Sequence, residues 1–379
     1  MKLPEVLVLS YSNLGCDPRV IRQLEWLQGK AHIHCAGFGP PPSDIEVDSF
    51  SQIYYEPKPN LARKIRRAIL FFFRFFERYF FDESKQTFVR LFSNRKFDLI
   101  IANDPASLYL AHKISSSKDQ IVFDAHEYHP SENLESKYWR MFHRPMVNYL
   151  IMKYASGIKG VITVNDSIAA MYLKNFNLDA VVISNAGSFR DLKPLACKGN
   201  PVKFVHHGAA IKGRRMEDMI EAFLQMRSGD EFHLFLSGTS LMLEYREELK
   251  RKYRSAPGVF FHDPVPFKKI CETINNYDVG LYFLPVHGEN ENMALPNKVF
   301  EFIQARLAMV VSPNPEMKNL VEKHELGIVA DDFIPESYRD ALRKLNPEVV
   351  NRFKENAHKA AQILNAEANR EKFLKICGL

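Results

Sequence analysis

The stretch MALPNKVFEFIQARLAMVVS at residues 293–312 decides the fold. It predicts a tight turn that carries Asn297 and Lys298, then a helix, then a buried strand. Pro296 suits a helix start, and the first backbone N–H groups of a helix have no partners within the helix. Because those N–H groups and Lys298 are all positive, such a turn can hold a phosphate. Glu301 follows one helical turn later.

Short apolar runs like the end of that stretch recur through both halves of the chain. Each run ends in polar residues and most precede a helical pattern, which predicts parallel sheets with crossover helices. The runs lie at residues 6–12, 98–104, 120–127 and 160–166, and then at 202–208, 232–238, 259–263, 279–285 and 308–313. The segment 185–201 between the two sets lacks periodicity and is rich in Gly, Pro, Asn and Lys, which predicts a domain boundary. The expected fold class is α/β, with two doubly wound Rossmann-like domains facing across a cleft.

Length and composition limit the classes of protein. The chain has 379 residues, 46% of them hydrophobic, which suggests two domains with full cores. A net charge of +6 favours an anionic partner such as a nucleotide, a phospholipid surface or a nucleic acid. The five cysteines show no paired spacing, so neither a zinc site nor a disulfide framework is indicated, and a reducing cytosol fits best. The sequence predicts neither a signal peptide nor a membrane-spanning helix.

Residues 61–81, LARKIRRAILFFFRFFERYFF, interrupt the first half with an amphipathic helical pattern. Aromatic residues widen the apolar face, and arginines occupy the opposite face, which suits the interface of an anionic membrane. The alternative is an ordinary helix that faces the core and has a solvated basic side. The apolar face contains Leu61, Ile65, Ile69, Phe72, Phe76 and Phe80, and the arginines are Arg63, Arg67, Arg74 and Arg78. Because these arginines alternate with a continuous apolar face, nucleic-acid binding is disfavoured.

Four stretches together resemble the nucleotide-sugar glycosyltransferases of family 4. They are SNLGCDPRV at 12–20, FDAHE at 123–127, HHGAAIKGRRMEDMIEAF at 206–223 and LPNKVFEFIQARLAMVVS at 295–312. The resemblance implies the GT-B fold, a metal-independent reaction and front-face displacement with retained anomeric configuration. It also implies that the chain is divided into two domains and a C-terminal helix. These are an acceptor domain at 1–190 with the insert 61–81, a nucleotide-sugar domain at 191–362, and a C-terminal helix at 363–379 that crosses back to the first domain.

The resemblance assigns donor-binding roles around the decisive stretch. Glu301 matches a carboxylate that binds the ribose hydroxyls in relatives, and a carboxylate can accept two hydrogen bonds from a diol. Relatives place a second carboxylate at the position of Met293, so Glu289 or Glu291 could substitute for it in holding the sugar. Pro296 has no N–H for phosphate, so the resemblance leaves more of the phosphate binding to Asn297 and Lys298.

A second basic segment matches the family in part. The usual Arg after the family's Gly is replaced by Ala209, whereas Arg214 matches a cation placed against the donor diphosphate, with Arg215 next to it. The planar guanidinium can bond two phosphate oxygens at once. A solvated basic loop is the alternative for Arg215, and Lys212 could compensate for Ala209. Positions where the backbone approaches the donor in relatives correspond to Gly15, Gly208, Gly238 and Val265.

His126 follows a predicted strand, where relatives project a His beside the reacting sugar. Neutral imidazole can orient a hydroxyl without adding charge, and Glu127 and His129 lie next to it in sequence. His126 is therefore the catalytic candidate in the first half, together with Arg214 and Lys298 in the second, and Glu127 is an acceptor or sugar candidate. Asp17 and Asp104 are interpreted as helix caps.

The resulting hypothesis is a retaining glycosyltransferase that uses a UDP- or GDP-type sugar, without a metal or other cofactor. Its acceptor would be a lipid-linked or membrane-proximal glycan of a cell-surface polysaccharide. The protein would lie in the cytoplasm, peripherally on the anionic inner face of the plasma membrane. One rival is a sugar-nucleotide epimerase of the same fold, with Glu127 and His129 as acid–base groups. The other is a binding subunit that has lost turnover, which the replacements at Met293 and Ala209 make credible.

Overall fold

The computed structural model describes residues 2–54, 60–81, 83–226, 229–238 and 241–379. The chain divides into two compact units. Unit 1 comprises Met1–Ser184 and Arg370–Leu379, and unit 2 comprises Asn185–Asn369. The sequence-based boundaries fall after residues 190 and 362, a few residues from these borders. Every helix in the described ranges is too short or too polar to cross a membrane.

Unit 1 is built on a seven-stranded parallel sheet with the order β3-β2-β1-β4-β5-β6-β7. Strand order reverses between β1 and β4, which pair along all of β4, from Val6 with Leu99 to Leu9 with Ala102. Ligands of open α/β sheets bind beyond the carboxyl ends of the strands at such a reversal. The strands are β1 Glu5–Leu9, β2 His32–Gly37, β3 Ser49–Gln52, β4 Leu99–Ala102, β5 Ile121–Asp124, β6 Gly160–Thr163 and β7 Ala180–Val182.

The helices of unit 1 include several with the capping residues that their sequences predict. Asp17 caps α1 by accepting hydrogen bonds from the N–H groups of Arg19 and Val20, and Asp104 forms a capping box with Ser107 at the start of α5. Both interpretations as caps are confirmed. The helices are α1 Pro18–Leu27, α2 Leu61–Phe72, α3 Phe76–Phe80, α4 Glu83–Leu91, α5 Pro105–Ile114, α6 Arg144–Tyr154 and α7 Asp166–Phe176, with a π-helix at Trp139–His143 before α6.

The expectation of one continuous helix through residues 61–81 is wrong. Helix α2 ends at Phe72, the chain turns with Arg74 in the left-handed region at φ 56°, and α3 starts at Phe76. Phe76 is only 5% exposed and its ring packs 5.4 Å from that of Tyr149, so it belongs to the interior of unit 1 and not to a membrane-facing surface. No residue of α2 is buried, so the alternative of a core-facing helix does not hold for this part of the segment.

Unit 2 repeats the plan with a six-stranded parallel sheet in the order β10-β9-β8-β11-β12-β13. Its strands are β8 Lys203–Ala209, β9 Glu231–Ser237, β10 Val259–His262, β11 Val279–Tyr282, β12 Ala308–Val311 and β13 Gly327–Val329. Its helices are α8 Met216–Leu224, α9 Leu241–Lys252, α10 Ile270–Ile274, α11 Glu289–Asn292, α12 Asn297–Gln304, α13 Pro315–Lys323, α14 Pro335–Arg343 and α15 Pro347–Ala361, and α16 Ala366–Cys377 follows at the end of the chain.

Both faces of the second sheet are covered by apolar side chains, as a parallel sheet requires. One face packs residues such as Phe204 and Leu281 against α8, α9 and α14. The other face packs Val205, Tyr282 and Met309 against α12, α13 and α15. This packing fixes the start of α12 relative to the carboxyl ends of the strands.

The residues of α16 from Arg370 onward belong to unit 1. Phe373 lies 5.1 Å, centroid to centroid, from Trp26 of α1. A Cβ on Gly160 would contact the side chain of Ile376, so the small residue at that position leaves room for the helix. The two sheets with helices on their faces confirm the α/β doubly wound class.

Candidate functional site

In unit 2 the side chain of Lys298 lies over the carboxyl end of β8. Gly208 has φ 125°, and a Cβ placed there would be 2.6 Å from Nζ of Lys298 and would also overlap its Cε. Any L-residue at position 208 would therefore be strained by its backbone and would collide with the lysine. The glycine lets the ammonium lie against the backbone at the strand end, next to the start of α12.

The environment of Lys298 disfavours its positive charge. Burial of the ammonium and, secondarily, the charge of Arg214 together lower the pKa of Lys298 to about 8, although Glu301 acts in the opposite direction. Nζ lies 5.3 Å from the centre of the Tyr282 ring, whose electron-rich face attracts a cation. In the described part of the chain, no carboxylate forms an ion pair with either Lys298 or Arg214. The two cations are thus held close together, an arrangement that a bound anion would stabilise.

Arg214 and Arg215 are adjacent in sequence but have different surroundings. Arg214 ends a 3₁₀ helix at Lys212–Arg214 and is half-buried. Arg215 adopts the left-handed conformation at φ 46° and precedes α8, where its Nε lies 3.0 Å from Oδ2 of Asp218 and its Nη2 donates to Oδ1 at 3.1 Å. The structure therefore gives Arg215 a carboxylate partner on its own helix.

Glu301 lies one turn into α12 and is 9% exposed. Its Oε2 is 3.2 Å from Nε2 of His207 on β8. Burial holds the pKa of His207 well below its ordinary value, and the charge of Lys298 and the ring of His206 lower it further. The neighbouring imidazole is consequently neutral at physiological pH and does not cancel the carboxylate charge. The arrangement presents carboxylate oxygens near a strand end, where hydroxyl groups of a ligand could donate to them.

His206 is a feature of this site that the sequence analysis did not single out. Its ring is fully buried and lies parallel to that of Tyr282 with centroids 6.0 Å apart. Burial, together with the charges of Lys298 and Arg214, lowers the pKa of His206 to about 3. Nδ1 is 2.8 Å from the backbone O of Leu281, so the neutral ring donates its proton there. The available signal was the His pair in the run HHG at the end of β8.

The start of α12 differs from the expected pattern in one detail. Pro296 is the residue before the helix, with extended backbone, and Asn297 is the first helical residue. Pro296 makes no side-chain capping bond, and the N–H of Val299 is directed to its carbonyl at 3.1 Å. Asn297 and Lys298 thus form the first turn of the helix, as the sequence predicts.

The loop before α12 contains the two candidate sugar carboxylates on the short helix α11. Glu289 is exposed and Glu291 is half-buried. The backbone O of Glu291 accepts a hydrogen bond at 3.0 Å from Nδ2 of Asn314, which is fully buried. Met293, where relatives have a carboxylate, is 9% exposed and packs into the protein.

The remaining backbone positions lie at strand ends or in loops. Gly238 follows β9 with φ 153°, and a Cβ there would overlap the Cβ of Met242 in α9. Val265 is partly buried against the apolar cluster beneath α12. Gly15 lies in unit 1 in a 3₁₀ turn after β1, where a Cβ would lie 2.9 Å from the backbone O of Pro40. The role expected of these positions is approach of the backbone to the donor, and it stays a prediction.

In unit 1, His126 and its neighbours follow β5. His126 is half-buried, and its ring meets that of His129 edge to face at 5.3 Å. Its Nδ1 is buried and has no hydrogen-bond partner among the described residues. The backbone O of Glu127 accepts a hydrogen bond from the hydroxyl of Tyr172 at 3.0 Å, which fixes the loop.

Glu127, His129 and Glu132 form the one group of metal-ligating side chains in the described ranges, with ligand atoms within 4.8 Å of one another. His129 is hydrogen-bonded through Nδ1 to Glu132. Burial disfavours the charged ring, but the hydrogen bond and the charge of Glu132 outweigh it and raise the pKa of His129. Two members of the group, His129 and Glu132, are therefore already hydrogen-bonded to each other, and the expectation of metal independence stays a prediction.

A buried cluster behind this loop joins α1 to the end of β5. Nε and Nη2 of Arg19 each donate at 2.7 Å to a different oxygen of Asp124, and Nη1 donates to the backbone O of Ile183 at 3.1 Å. Gln23 adds a bond at 2.6 Å to the same carboxylate. Asp124 is 1% exposed. This network links helix α1 to the end of β5 and to the residue that follows β7, and the sequence did not predict it.

The surface formed by residues 61–81 carries exposed apolar and basic side chains together. Phe72 is 81% exposed and Leu61 73% exposed. The exposed arginines of this segment include Arg63, Arg74 and Arg78, whereas Arg67 is half-buried with its guanidinium 4.6 Å from the centre of the Tyr79 ring. Exposed apolar surface on this scale marks an interaction site in many proteins.

Comparisons with known proteins agree with this architecture. Residues 201–346 match the family described as glycosyl transferases group 1, whereas a comparison with curated protein sequences gave no match. Sucrose-phosphate synthase from Thermosynechococcus elongatus is similar over 99% of this chain and 98% of its own, with a TM-score of 0.70 and 15% identity. HepE from Anabaena, solved in complex with UDP and glucose, is similar over 98% of both chains, with a TM-score of 0.69 and 13% identity.

A third solved structure, WaaG, is described as a glycosyltransferase involved in lipopolysaccharide biosynthesis. It is similar over 98% of this chain and 99% of its own, with a TM-score of 0.67 and 13% identity. At such identities the structural likeness establishes the fold, and the family match covers the segment that holds Gly208, Lys298 and Glu301. The chain therefore has the GT-B fold that these solved glycosyltransferases share, and its residues 201–346 match the group 1 glycosyl transferases.

Proposed function

We propose that this glycosyltransferase takes a sugar from a UDP- or GDP-type nucleotide sugar and transfers it, with retained configuration, to a hydroxyl of a lipid-linked or membrane-proximal glycan. The leaving group is a nucleoside diphosphate. The observation that carries the proposal is the pair of neighbouring cations, Arg214 and Lys298, beside the first turn of α12. A diphosphate bound there would neutralise both cations and accept hydrogen bonds from the N–H groups at the start of the helix.

The proposed chemistry is electrostatic stabilisation of the departing diphosphate. Negative charge develops on the leaving group as the glycosidic bond breaks, and fixed cations in a site with little water stabilise it strongly. Lys298, Arg214 and the N–H groups at Asn297 provide this stabilisation, so the reaction needs no metal ion. Glu301 would accept hydrogen bonds from the ribose hydroxyls, and Gly208 would keep Lys298 against the strand end.

The proposed role of His126 is to orient a hydroxyl of the donor sugar. Its support is the buried Nδ1 without a described partner, which leaves hydrogen-bonding capacity in a partly exposed ring. We expect His126→Ala to slow turnover and to leave nucleotide affinity within about twofold of wild type. Calorimetric titration with UDP and GDP, together with steady-state kinetics, separates the two effects, since an equal loss of affinity and turnover would contradict an orienting role.

The direct test of the activity is release of nucleoside diphosphate from a panel of nucleotide sugars. We expect release to depend on added acceptor, for which prenyl-diphosphate-linked saccharides are the first probes. Lys298→Met should abolish the release, because a Met of similar length keeps the packing against Gly208 and removes the charge. Epimerisation of the donor without acceptor would support the epimerase alternative, and donor binding without turnover across the panel would support a binding subunit.

The support for a membrane-proximal acceptor is the exposed surface of α2. Its apolar residues and its arginines together suit the inner, anionic face of the plasma membrane, where apolar burial and Lys/Arg attraction act together. We therefore propose that the protein is a peripheral membrane protein of the cytoplasm that assembles cell-surface polysaccharide. We expect flotation with vesicles that contain phosphatidylglycerol and none with phosphatidylcholine alone.

Charge reversal tests the membrane proposal against a matched control. Glu substituted at Arg63, Arg67, Arg74 and Arg78 should abolish flotation, because each cation near an anionic surface contributes about 1 kcal/mol. Glu at Arg251 and Arg254, which are exposed on unit 2, should not abolish it. Flotation that survives the first set, or is lost equally with the second, would contradict a specific role for the surface formed by residues 61–81.

A further inference from the structure

Between α2 and the π-helix Trp139–His143, unit 1 contains an apolar groove of about 870 Å³. We call it the aromatic groove. Its walls are formed by the inner side of α2, by the turn that follows α2, and by side chains around the π-helix. All of these residues lie within unit 1, so the shape of the groove does not depend on unit 2.

The base of the aromatic groove is a cluster of packed aromatic rings. Phe71 lies 5.2 Å from Phe142, 5.4 Å from Tyr79 and 5.3 Å from the buried Phe76. Edge-to-face and tilted contacts at these distances are favourable and hold the rings in place. The cluster therefore anchors one side of α2 to unit 1 without filling the space beside it.

Large apolar side chains border the groove and remain in contact with solvent. Phe72 is 81% exposed and Tyr138 is 61% exposed, although both line the same cavity. No residue of α2 is buried. Contact between water and the apolar walls of such a cavity is unfavourable. Entry of an apolar group would remove this contact and would therefore be favourable.

The groove also carries positive charge at its edge. Lys64 and Arg67 line it, and the lining residues that the structure describes include no carboxylate. The guanidinium of Arg67 is held over the ring of Tyr79. Burial lowers the pKa of His143, which also lines the groove, and the charge of Arg67 lowers it further, so this cation acts inside the cavity. Aromatic walls with cations at the edge match a hydrocarbon chain that ends in an anionic group.

We propose that the aromatic groove binds a single hydrocarbon chain that bears a phosphate, namely the lipid carrier of the acceptor. The chain lies along Phe71, Phe72 and Phe142, and its phosphate lies near Lys64 and Arg67. This inference rests on the proposed function, because it specifies how the lipid-linked acceptor is held. It differs from adsorption to a flat membrane, which needs the exposed face of α2 and not the cavity beneath it.

Calorimetry with octyl, decyl and dodecyl phosphate, each below its micelle threshold, tests the groove without a membrane. We expect saturable binding of one molecule per chain, with affinity that rises up to about fourfold for each added methylene until the groove is filled. Inorganic phosphate at the same concentrations controls for binding of the head group alone. No saturable binding, or affinity independent of chain length, would overturn the proposal.

Two matched pairs of variants locate the binding site. Ala68 lines the groove and Ala62 does not, and both are exposed on α2. Ala68→Trp should weaken dodecyl phosphate binding by about tenfold or more, which corresponds to displacing two methylenes, whereas Ala62→Trp should not. Lys64→Glu should weaken it more than Arg66→Glu, since Arg66 is exposed outside the groove. Equal effects within either pair would overturn the proposed position.

The experiments distinguish failure of the groove proposal from failure of the proposed glycosyltransferase activity. Binding of dodecyl phosphate with the expected variant pattern supports the groove even if no nucleotide sugar is turned over. Transfer to a lipid-linked acceptor that is equally fast in Ala68→Trp and Ala62→Trp would leave the proposed function in place and overturn the groove.

Discussion

Basic side chains near strand ends have opposite environments in the two units. In unit 1, Arg19 donates to both oxygens of the buried Asp124, and Gln23 adds a further bond. In unit 2, Lys298 lies beside another cation, Arg214, and its pKa is lowered to about 8 by burial and by that neighbour. The first arrangement is complete within the protein, whereas the second becomes electrostatically favourable when an anion binds.

The contrast explains why similar residue types have different expected functions. A guanidinium that is hydrogen-bonded to a buried carboxylate and to a backbone carbonyl positions elements of the fold, and removing the carboxylate leaves a buried charge. A cation that is buried beside another cation is destabilised in the free protein and is a candidate ligand-binding group. The comparison predicts that substitutions in the unit 1 cluster alter stability, and that substitutions in unit 2 alter nucleotide binding and turnover.

The largest expected effect is on the stability of unit 1. Asp124→Ala should lower the free energy of unfolding by about 3–5 kcal/mol, because it leaves Arg19 buried without its carboxylate. Urea unfolding followed by circular dichroism measures the change. The exposed pair of Lys318 and Glu322 provides the control, since Glu322→Ala should cost less than about 0.5 kcal/mol. Intact stability with lost turnover would instead assign Asp124 to catalysis and remove the contrast between the units.

The adjacent arginines of unit 2 give the next largest effect. Arg214→Ala should lower kcat/KM by about 10²–10³, the loss typical of removing one group that stabilises transition-state charge. Arg215→Ala should lower it by only a few-fold, because Arg215 is paired with Asp218 on α8. Steady-state kinetics of nucleoside diphosphate release compares the two variants. Equal losses would mean that the Asp218 pair opens in the complex and that both arginines contact the donor.

The strand pattern is the part of the fold that the sequence predicted well. Runs of apolar, β-branched residues identify buried parallel strands, and each predicted run coincides with a strand of one of the two sheets. Four strands were missed. Strand β2, HIHCAG, alternates His with apolar residues, and β3, SFSQ, is only partly buried along its length. Strands β7, AVV, and β13, GIV, have three residues each and no fully buried residue. Edge and short strands are formed by pairing to the sheet, which local composition does not encode.

The break between α2 and α3 depends on tertiary packing. Residues 73–75 contain neither Gly nor Pro, and the apolar spacing continues through the turn, so the local sequence favours one helix. The ring of Phe76 is instead buried beside Tyr149, and the turn at Arg74 allows this. A non-glycine residue at positive φ costs free energy, which the packing of Phe76 offsets.

The sequence predicted the site residues that lie close together along the chain. It did not predict contacts between residues that are far apart in sequence. One turn and the helix that follows it contain Asn297, Lys298 and Glu301, so their spacing in the sequence predicted that they lie together. The bond between Arg19 and Asp124 joins residues 105 positions apart, and no sequence pattern indicates such a pair. The neutral state of His207 likewise results from burial between elements of unit 2 and not from its sequence neighbours.

Substitution of Glu301 should have a smaller effect, on nucleotide affinity, that depends on the ribose hydroxyls. Glu301→Ala should weaken nucleotide binding by about 1.5–3 kcal/mol, the usual worth of hydrogen bonds to a charged group. The matched ligand is the 2′,3′-dideoxy nucleotide, which lacks the diol. Wild type should lose affinity for the dideoxy ligand, and the variant should bind both ligands alike. A variant that still discriminates between the two ligands would remove the ribose assignment.

The smallest expected effect is the pH dependence of diphosphate binding. The pKa of Lys298 in the free protein is lowered to about 8, and a bound diphosphate would raise it, because an opposite charge favours the ammonium. Binding above pH 8 therefore takes up a proton, and affinity should fall with rising pH by up to about tenfold, or 1.4 kcal/mol, per unit.

The free protein should show the opposite trend in stability. Between pH 8 and the ordinary pKa of lysine the unfolded chain binds more protons at this residue than the folded chain, so this contribution to stability rises with pH. Calorimetry in buffers of different ionisation enthalpy counts the proton taken up with the nucleotide. Lys298→Arg, whose guanidinium stays charged across this range, should bind with no proton uptake. Equal proton uptake in both proteins would place the titrating group elsewhere and remove the argument that Lys298 is held ready for an anion.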